Sequence, residues 1–154
     1  MMRIAIGSDH AGYEMKQHLL EKLRAADYDV TDVGTHSTES VDFPDYAAAV
    51  GRAILDDDAD RGIVVCGTGA GASIAANKLT GIRAAQATDT HTAHQAVEHN
   101  DINVLALGGQ IVGNLLAWEM VDAFLHAEFI GEERQIRRVQ KIAQLESGTH
   151  QDAG

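Results

Sequence analysis

A single thiol followed by a run of glycines is the part of this 154-residue sequence best equipped for chemistry. The stretch reads Gly62-Ile63-Val64-Val65-Cys66-Gly67-Thr68-Gly69-Ala70-Gly71-Ala72-Ser73-Ile74-Ala75-Ala76-Asn77-Lys78. Its unbroken β-branched run predicts a strand covered on both faces, and its alanine-rich end predicts a helix. Between them, glycines let the backbone turn sharply and bring N–H groups close to a ligand. The first N–H groups of a helix lack partners within it, so strand, loop and helix start together form a seat for an anion. Cys66, the only cysteine, stands at the rim of that seat, where positive backbone dipoles favour a thiolate. The stretch thus offers an anion cradle and an ionisable group side by side.

Other readings of the same residues are weaker. A dinucleotide fingerprint would use Asp89 as the ribose-binding acid, but the spacing is G-x-G-x-G and the loop does not follow the first strand. A Walker loop needs a Lys-Ser or Lys-Thr pair after the glycines, and none follows. A cysteine phosphatase needs a guanidinium at the far end of the loop, where this chain has Ala72. A lone cysteine is more often a small buried hydrophobe than a catalyst; the position at a strand end beside a helix start argues the other way. His91 and His94 are three apart, but no third metal ligand accompanies them. Asp9-His10 could simply cap a helix, although capping would not require the histidine. His99, beside Asn100 and Asp101, is by default a surface turn histidine. Near the C-terminus Arg137 has Glu133 four residues before it, whereas Arg134 and Arg138 have each other and no acid at helical spacing. A phosphate between those two cations would turn their repulsion into charge-assisted bonding; solvation, or pairing with surface acids, is the plain alternative.

The elements that must position these groups alternate regularly. Residues 3–8 read as a buried first strand, 13–26 as a helix with Met15, Leu19, Leu20 and Leu23 on one face, and 29–33 as a more polar strand. A loop over 34–45 ends at the only proline, Pro44, before a helix over 46–55. After the central strand, loop and helix come a strand over 83–88, a helix over 90–98 and a turn at His99-Asn100-Asp101. A strand over 103–108, helices over 115–125 and 132–145, and a frayed tail over 147–154 complete the chain. Five strands alternating with helices predict an α/β three-layer sandwich around a parallel sheet, with ligands bound outside the carboxyl ends of the strands. Three polar clusters are expected there: Ser8-Asp9-His10, Cys66-Gly67-Thr68, and the segment before Asn103.

Bulk composition narrows the partners. The length suits one domain, residues 1–154, with an ordinary 45% apolar content. A formal net charge of −11 argues against nucleic acid and anionic membranes. No secretion signal or membrane-length apolar run is present, so a cytoplasmic protein is expected. One cysteine excludes an intrachain disulfide.

Taken together, Ser8-Asp9-His10-Ala11-Gly12, Asp42-Phe43-Pro44-Asp45-Tyr46-Ala47, Cys66-Gly67-Thr68-Gly69-Ala70-Gly71, Ser73-Ile74-Ala75-Ala76-Asn77-Lys78, Gly81-Ile82-Arg83-Ala84 and His99-Asn100-Asp101-Ile102-Asn103-Val104-Leu105 resemble the type B ribose-5-phosphate isomerases. That group includes galactose-6-phosphate isomerase subunits and an allose-6-phosphate isomerase. The resemblance runs over about residues 3–146 and implies a Rossmann-like fold without metal or organic cofactor. It also implies a homodimer, sometimes a tetramer, whose last helix packs on the partner and whose His99 turn enters the neighbouring chain's site. The implied reaction interconverts ribose 5-phosphate and ribulose 5-phosphate through an enediolate. Cys66 would move the proton between C2 and C1, His99 would open the ring, Asp9 would position the ring oxygen or hydroxyls, and Thr68 would help move the hydroxyl proton. The amides of Gly67, Thr68, Gly69, Ala70 and Gly71, with Asn100, would stabilise the enediolate. His10, Arg134 and Arg138 would hold the phosphate. Two departures stand out: Gln110 occupies a position where the family usually carries an arginine, and Gly131-Glu132-Glu133-Arg134-Gln135 is one residue longer than the usual pattern. Arg137 therefore remains a rival to Arg138 for the second phosphate contact.

Overall fold

The computed structural model describes residues 1–153. Its elements are β1 (Arg3–Ser8), α1 (Tyr13–Ala25), β2 (Asp29–Asp32), α2 (Phe43–Leu55), β3 (Arg61–Cys66), α3 (Ala70–Ala76), β4 (Ala84–Gln86), α4 (Thr90–Asn100), β5 (Val104–Gly108), α5 (Asn114–His126) and α6 (Glu133–Ser147). All pairings are parallel and the strand order is β2-β1-β3-β5-β4. This is the Rossmann-like α/β sandwich the alternating pattern predicts.

The central strand explains its own sequence. Ile63 and Val65 face a core completed by Met15, Leu19 and Leu23 of α1 and by Met120, Val121 and Phe124 of α5. Val64 and Cys66 face the opposite core, with Val50 of α2 and Ala72 and Ala76 of α3. A strand buried on both sides has no polar alternation to show, hence the continuous apolar run. At the sheet edge, β2 alternates exposed and half-buried residues, and β4 is three residues long. Asn77 closes that second edge: its side chain donates to the Ala84 carbonyl at 2.9 Å and accepts from the Ala84 N–H at 2.8 Å, as a neighbouring strand would.

Several boundaries differ from expectation for identifiable reasons. α2 begins at Phe43, with Pro44 inside its first turn, where a missing N–H costs nothing. β4 stops at Gln86, because Asp89 is committed as the N-cap of α4, accepting the Thr92 N–H at 2.7 Å. α4 runs on to Asn100 and ends at Asp101, whose φ of 51° is left-handed, so His99 and Asn100 are helical rather than part of a turn. α6 reaches Ser147; Gly148 caps it, and the N–H groups of Thr149 and His150 bond back to the Gln144 carbonyl at 2.9 and 3.2 Å.

α5 ends without a glycine, and Arg61 at the start of β3 takes over the capping. Its guanidinium donates to the Phe124 carbonyl and, at 2.8 Å, to the Ala127 carbonyl, and stacks 5.3 Å from the Phe124 ring centroid. Half-burial holds its pKa below the usual arginine value, yet helix-end carbonyls favour the cation. Arg61→Ala is expected to lower unfolding free energy by about 2 kcal/mol, read by urea titration. A loss within about 0.5 kcal/mol, the ordinary range for surface changes, would show that water replaces this cap at little cost.

Candidate active site

The carboxyl ends of β1, β3 and β5 meet in one place. Ser8 pairs with Val65, and Cys66 pairs with Gly108. Beyond the last pairs, the Asp9 N–H donates to the Val65 carbonyl at 3.2 Å and the Gly109 N–H to the Cys66 carbonyl at 2.8 Å. Only glycine fits at position 12, where a Cβ would lie 2.3 Å from the Val65 carbonyl oxygen. That close approach brings the start of α1, and with it Asp9 and His10, against the cysteine strand.

At this junction Cys66 is 4% exposed, with its side chain on the α2–α3 side of the sheet. The Gly69 N–H donates to its Sγ at 3.1 Å. Gly69 itself sits at φ 85°, a left-handed value that L side chains rarely adopt, and it serves as the N-cap of α3. The turn leaves the N–H groups of Gly67, Thr68 and Gly71 without an acceptor among the described residues. Thr68 is exposed, and its Oγ1 accepts the Ala70 N–H at 3.3 Å. A Phe43 ring lies over Gly71, close enough that a Cβ there would be 2.7 Å from its Cζ. Gln110 donates its N–H to the Gly67 carbonyl at 3.0 Å, holding the turn after β5 to the loop.

Asp9 is 6% exposed, and its Oδ1 accepts the Gly12 N–H at 3.0 Å. This carboxylate ties the turn after β1 to Gly12, the N-cap of α1, although no side chain caps the helix itself. His10 is half-buried, and its Nδ1 accepts the Val41 N–H at 3.2 Å. A backbone N–H can only donate, so Nδ1 is the acceptor and Nε2 carries the proton that a ligand oxygen would receive.

Lys16 was not legible as part of this architecture. It is 0% exposed, and its Nζ donates to Asp32 Oδ1 and to the Thr35 carbonyl, both at 2.6 Å. Thr35 in turn donates its N–H to the Ser8 carbonyl at 2.8 Å, and Ser8 donates to the Gly34 carbonyl at 2.7 Å. The loop after β2 is thereby clamped to the end of β1, and six residues on it supplies the Val41 bond to His10.

His99 and Asn100 lie elsewhere. α4 starts near the carboxyl end of β4 and runs antiparallel to it, so its last turn reaches the amino ends of the strands. Eleven helical residues span about 16 Å. The expected grouping of the segment before Asn103 with Cys66 is thus corrected: in one chain they occupy opposite ends of the sheet. Asn103 there bridges loops, accepting the Arg83 N–H at 2.8 Å and donating to the Gly81 carbonyl at 2.9 Å.

α6 belongs to the amino end as well. The Ile130 N–H bonds to the Glu98 carbonyl at 3.0 Å, and the Gly81 N–H bonds to Glu146 at 3.2 Å. A cavity of about 410 Å³ separates its Ile142 and Leu145 from Ile82, Ala84 and Asn100. Arg134 and Arg138 are exposed, as is Arg137, and no ion pair of theirs occurs among the described residues. Ile136, Ile142 and Leu145 leave much of the helix's apolar stripe in solvent, at 39%, 38% and 62% exposure.

One alternative reading is removed. Asp89 has both oxygens engaged by Thr92, whose donors hold its carboxyl below the usual range, so it serves α4 rather than a ribose. His94 faces Glu98 at 3.4 Å, and no cluster of three metal-ligating side chains occurs among the described residues. No described helix is long and apolar enough to cross a membrane.

A thiol, a carboxylate, a histidine and open amides thus meet at the carboxyl ends of a parallel sheet, where α/β folds of this kind bind small ligands. The chain belongs to the family described as Ribose/Galactose Isomerase, whose family model matches residues 4–142. It is 43% identical over 146 residues to ribose-5-phosphate isomerase B of Escherichia coli, covering 95% of this chain and 97% of that one. It is also 43% identical over 132 residues to a D-erythrulose-4-phosphate isomerase of Pectobacterium atrosepticum, covering 85% and 87%. Among solved structures, the ribose-5-phosphate isomerase B of Clostridium thermocellum superposes with a TM-score of 0.94 at 50% identity, covering 96% of this chain and 99% of the other.

Proposed function

We propose that the protein interconverts ribose 5-phosphate and ribulose 5-phosphate through an enediolate. The observation that carries this reading is the Cys66 thiol beside amides with no acceptor of their own. Shifting a hydrogen between neighbouring carbons of a sugar requires a base at the carbon and fixed donors at the oxygen that gains charge. Cys66 takes the proton from C2 and returns it to C1. The open N–H groups of Gly67, Thr68 and Gly71 hold the enediolate oxygens, and Thr68 passes the hydroxyl proton. Asp9 positions the hydroxyls, and His10 donates from Nε2 to the phosphate. The chain is read as one isomerase domain that works in the cytoplasm and needs neither metal nor organic cofactor.

Within one chain, His99 and Asn100 stand about a helix length away from Cys66. We therefore read the working unit as a homodimer in which the partner subunit presents His99, Asn100, Arg134 and Arg138. The exposed stripe of α6 suits that packing, and the two arginines, free of acids, suit a phosphate. Closed two-fold pairing then builds two equivalent sites, each from both chains.

The test is complementation. Cys66→Ala and His99→Asn are each expected to be inactive with ribose 5-phosphate. When the two are co-expressed, half the dimers are mixed and each has one intact site, so about a quarter of native activity returns. A mixture as dead as its parents would contradict a shared site. The Pectobacterium relative favours a second substrate reading, a tetrose phosphate, which kcat/KM measured on four-, five- and six-carbon aldose phosphates would separate.

A further inference from the structure

Gln86 ends the edge strand β4, is exposed, and belongs to no motif of the sequence. Its Nε2 donates to the Thr68 carbonyl at 2.7 Å. Its Cγ would lie 3.2 Å from a Cβ at Gly69, so its stem covers the turn. The Thr68 carbonyl and the Gly69 N–H belong to one peptide unit, and a trans peptide points them in opposite directions. One end of that unit therefore meets the Gln86 amide, and the other end meets the Cys66 Sγ at 3.1 Å.

We infer that Gln86 is a positioning residue for the Cys66 thiol, acting through the Thr68–Gly69 peptide. The inference rests on Cys66 being the reacting base. A hydrogen bond to a peptide oxygen polarises the unit and strengthens donation from its N–H. It also opposes rotation of the peptide, which glycine at position 69 otherwise permits. Losing the Gln86 donor lets the unit rock, and the N–H no longer faces sulfur continuously. The sulfur anion, the nucleophilic form of a thiol, is then less well held. Substrate contacts do not pass through Gln86, so binding is little affected.

The test uses Gln86→Leu, one atom shorter and without a donor, and Gln86→Glu, whose carboxylate turns an acceptor toward the Thr68 carbonyl. Two quantities are read: the rate of Cys66 alkylation by iodoacetamide at pH 7, and kcat and KM on ribose 5-phosphate. The chain has no other cysteine, so alkylation reports this thiol alone. Alkylation and kcat are expected to fall about fivefold in the leucine variant and further in the glutamate variant, with KM nearly unchanged. Native alkylation in both variants would overturn the inference, as would a change confined to KM. Should native protein show no isomerase turnover while alkylation still slows in the variants, the coupling stands and the proposed reaction falls instead.

Discussion

Cys66→Ala is expected to abolish isomerisation, lowering kcat by at least about a thousandfold, while the protein stays folded. A positioned base contributes on the order of 10² to 10⁴ in rate, and no second group stands where the sulfur does. Asp9 is committed to the Gly12 N–H and His10 to the Val41 N–H, so neither is placed to substitute. Removing a buried sulfur leaves a small void and frees the Gly69 N–H, a structural cost of about 1 kcal/mol. Substrate affinity should survive, because the phosphate and hydroxyls are held by other groups. The measurement is single-turnover kinetics beside a thermal melt. More than a tenth of native kcat in a folded variant would remove the thiol from the mechanism.

Lys16→Met should cost about 3 kcal/mol of unfolding free energy, the largest loss expected from any single polar side chain here. The ammonium is wholly buried, and its two bonds are both short at 2.6 Å. Methionine fills the stem's volume but leaves the Thr35 carbonyl unpaired and the Asp32 carboxylate, 17% exposed, without its cation. Asp32 retains only the Gly34 N–H at 2.9 Å and a distant contact with His36. The double variant Lys16→Met, Asp32→Asn should recover part of the loss, since it removes the unpaired charge as well. Urea titration of the three variants reads this coupling. A single-variant loss below about 1 kcal/mol, or a double variant that is merely the sum, would show the pair to be solvated. The loop that Lys16 clamps also carries Val41, so loosening it should raise KM through His10.

How far sequence reasoning reached depended on whether the signal was local. β3, its glycine turn and α3 were readable because a two-sided apolar run, a left-handed glycine and an alanine helix are each set by neighbours in the chain. The core face of α1 was readable for the same reason. Lys16 was not, because beside Met15 it looks like any surface lysine, and its partners lie 16 and 19 residues away. Gln86 gave no signal, since its role is a bond to a carbonyl 18 residues earlier. The misplacement of His99 is the most instructive. The segment that holds it was expected with Cys66 at the carboxyl ends, but strand order and the direction of α4 decide which end of the sheet it reaches, and neither is a local property. The resemblance implies that the histidine serves a different chain's thiol, which the complementation test above would decide.

The most direct measurement is a crystal structure of the protein with a planar phosphorylated hydroxamate, which mimics the enediolate of a five-carbon sugar. The account predicts the Cys66 sulfur within about 3.5 Å of the carbon skeleton, the two vicinal oxygens on the loop amides, and a histidine from the second subunit near the far end. An analogue lodged away from the sulfur would contradict it.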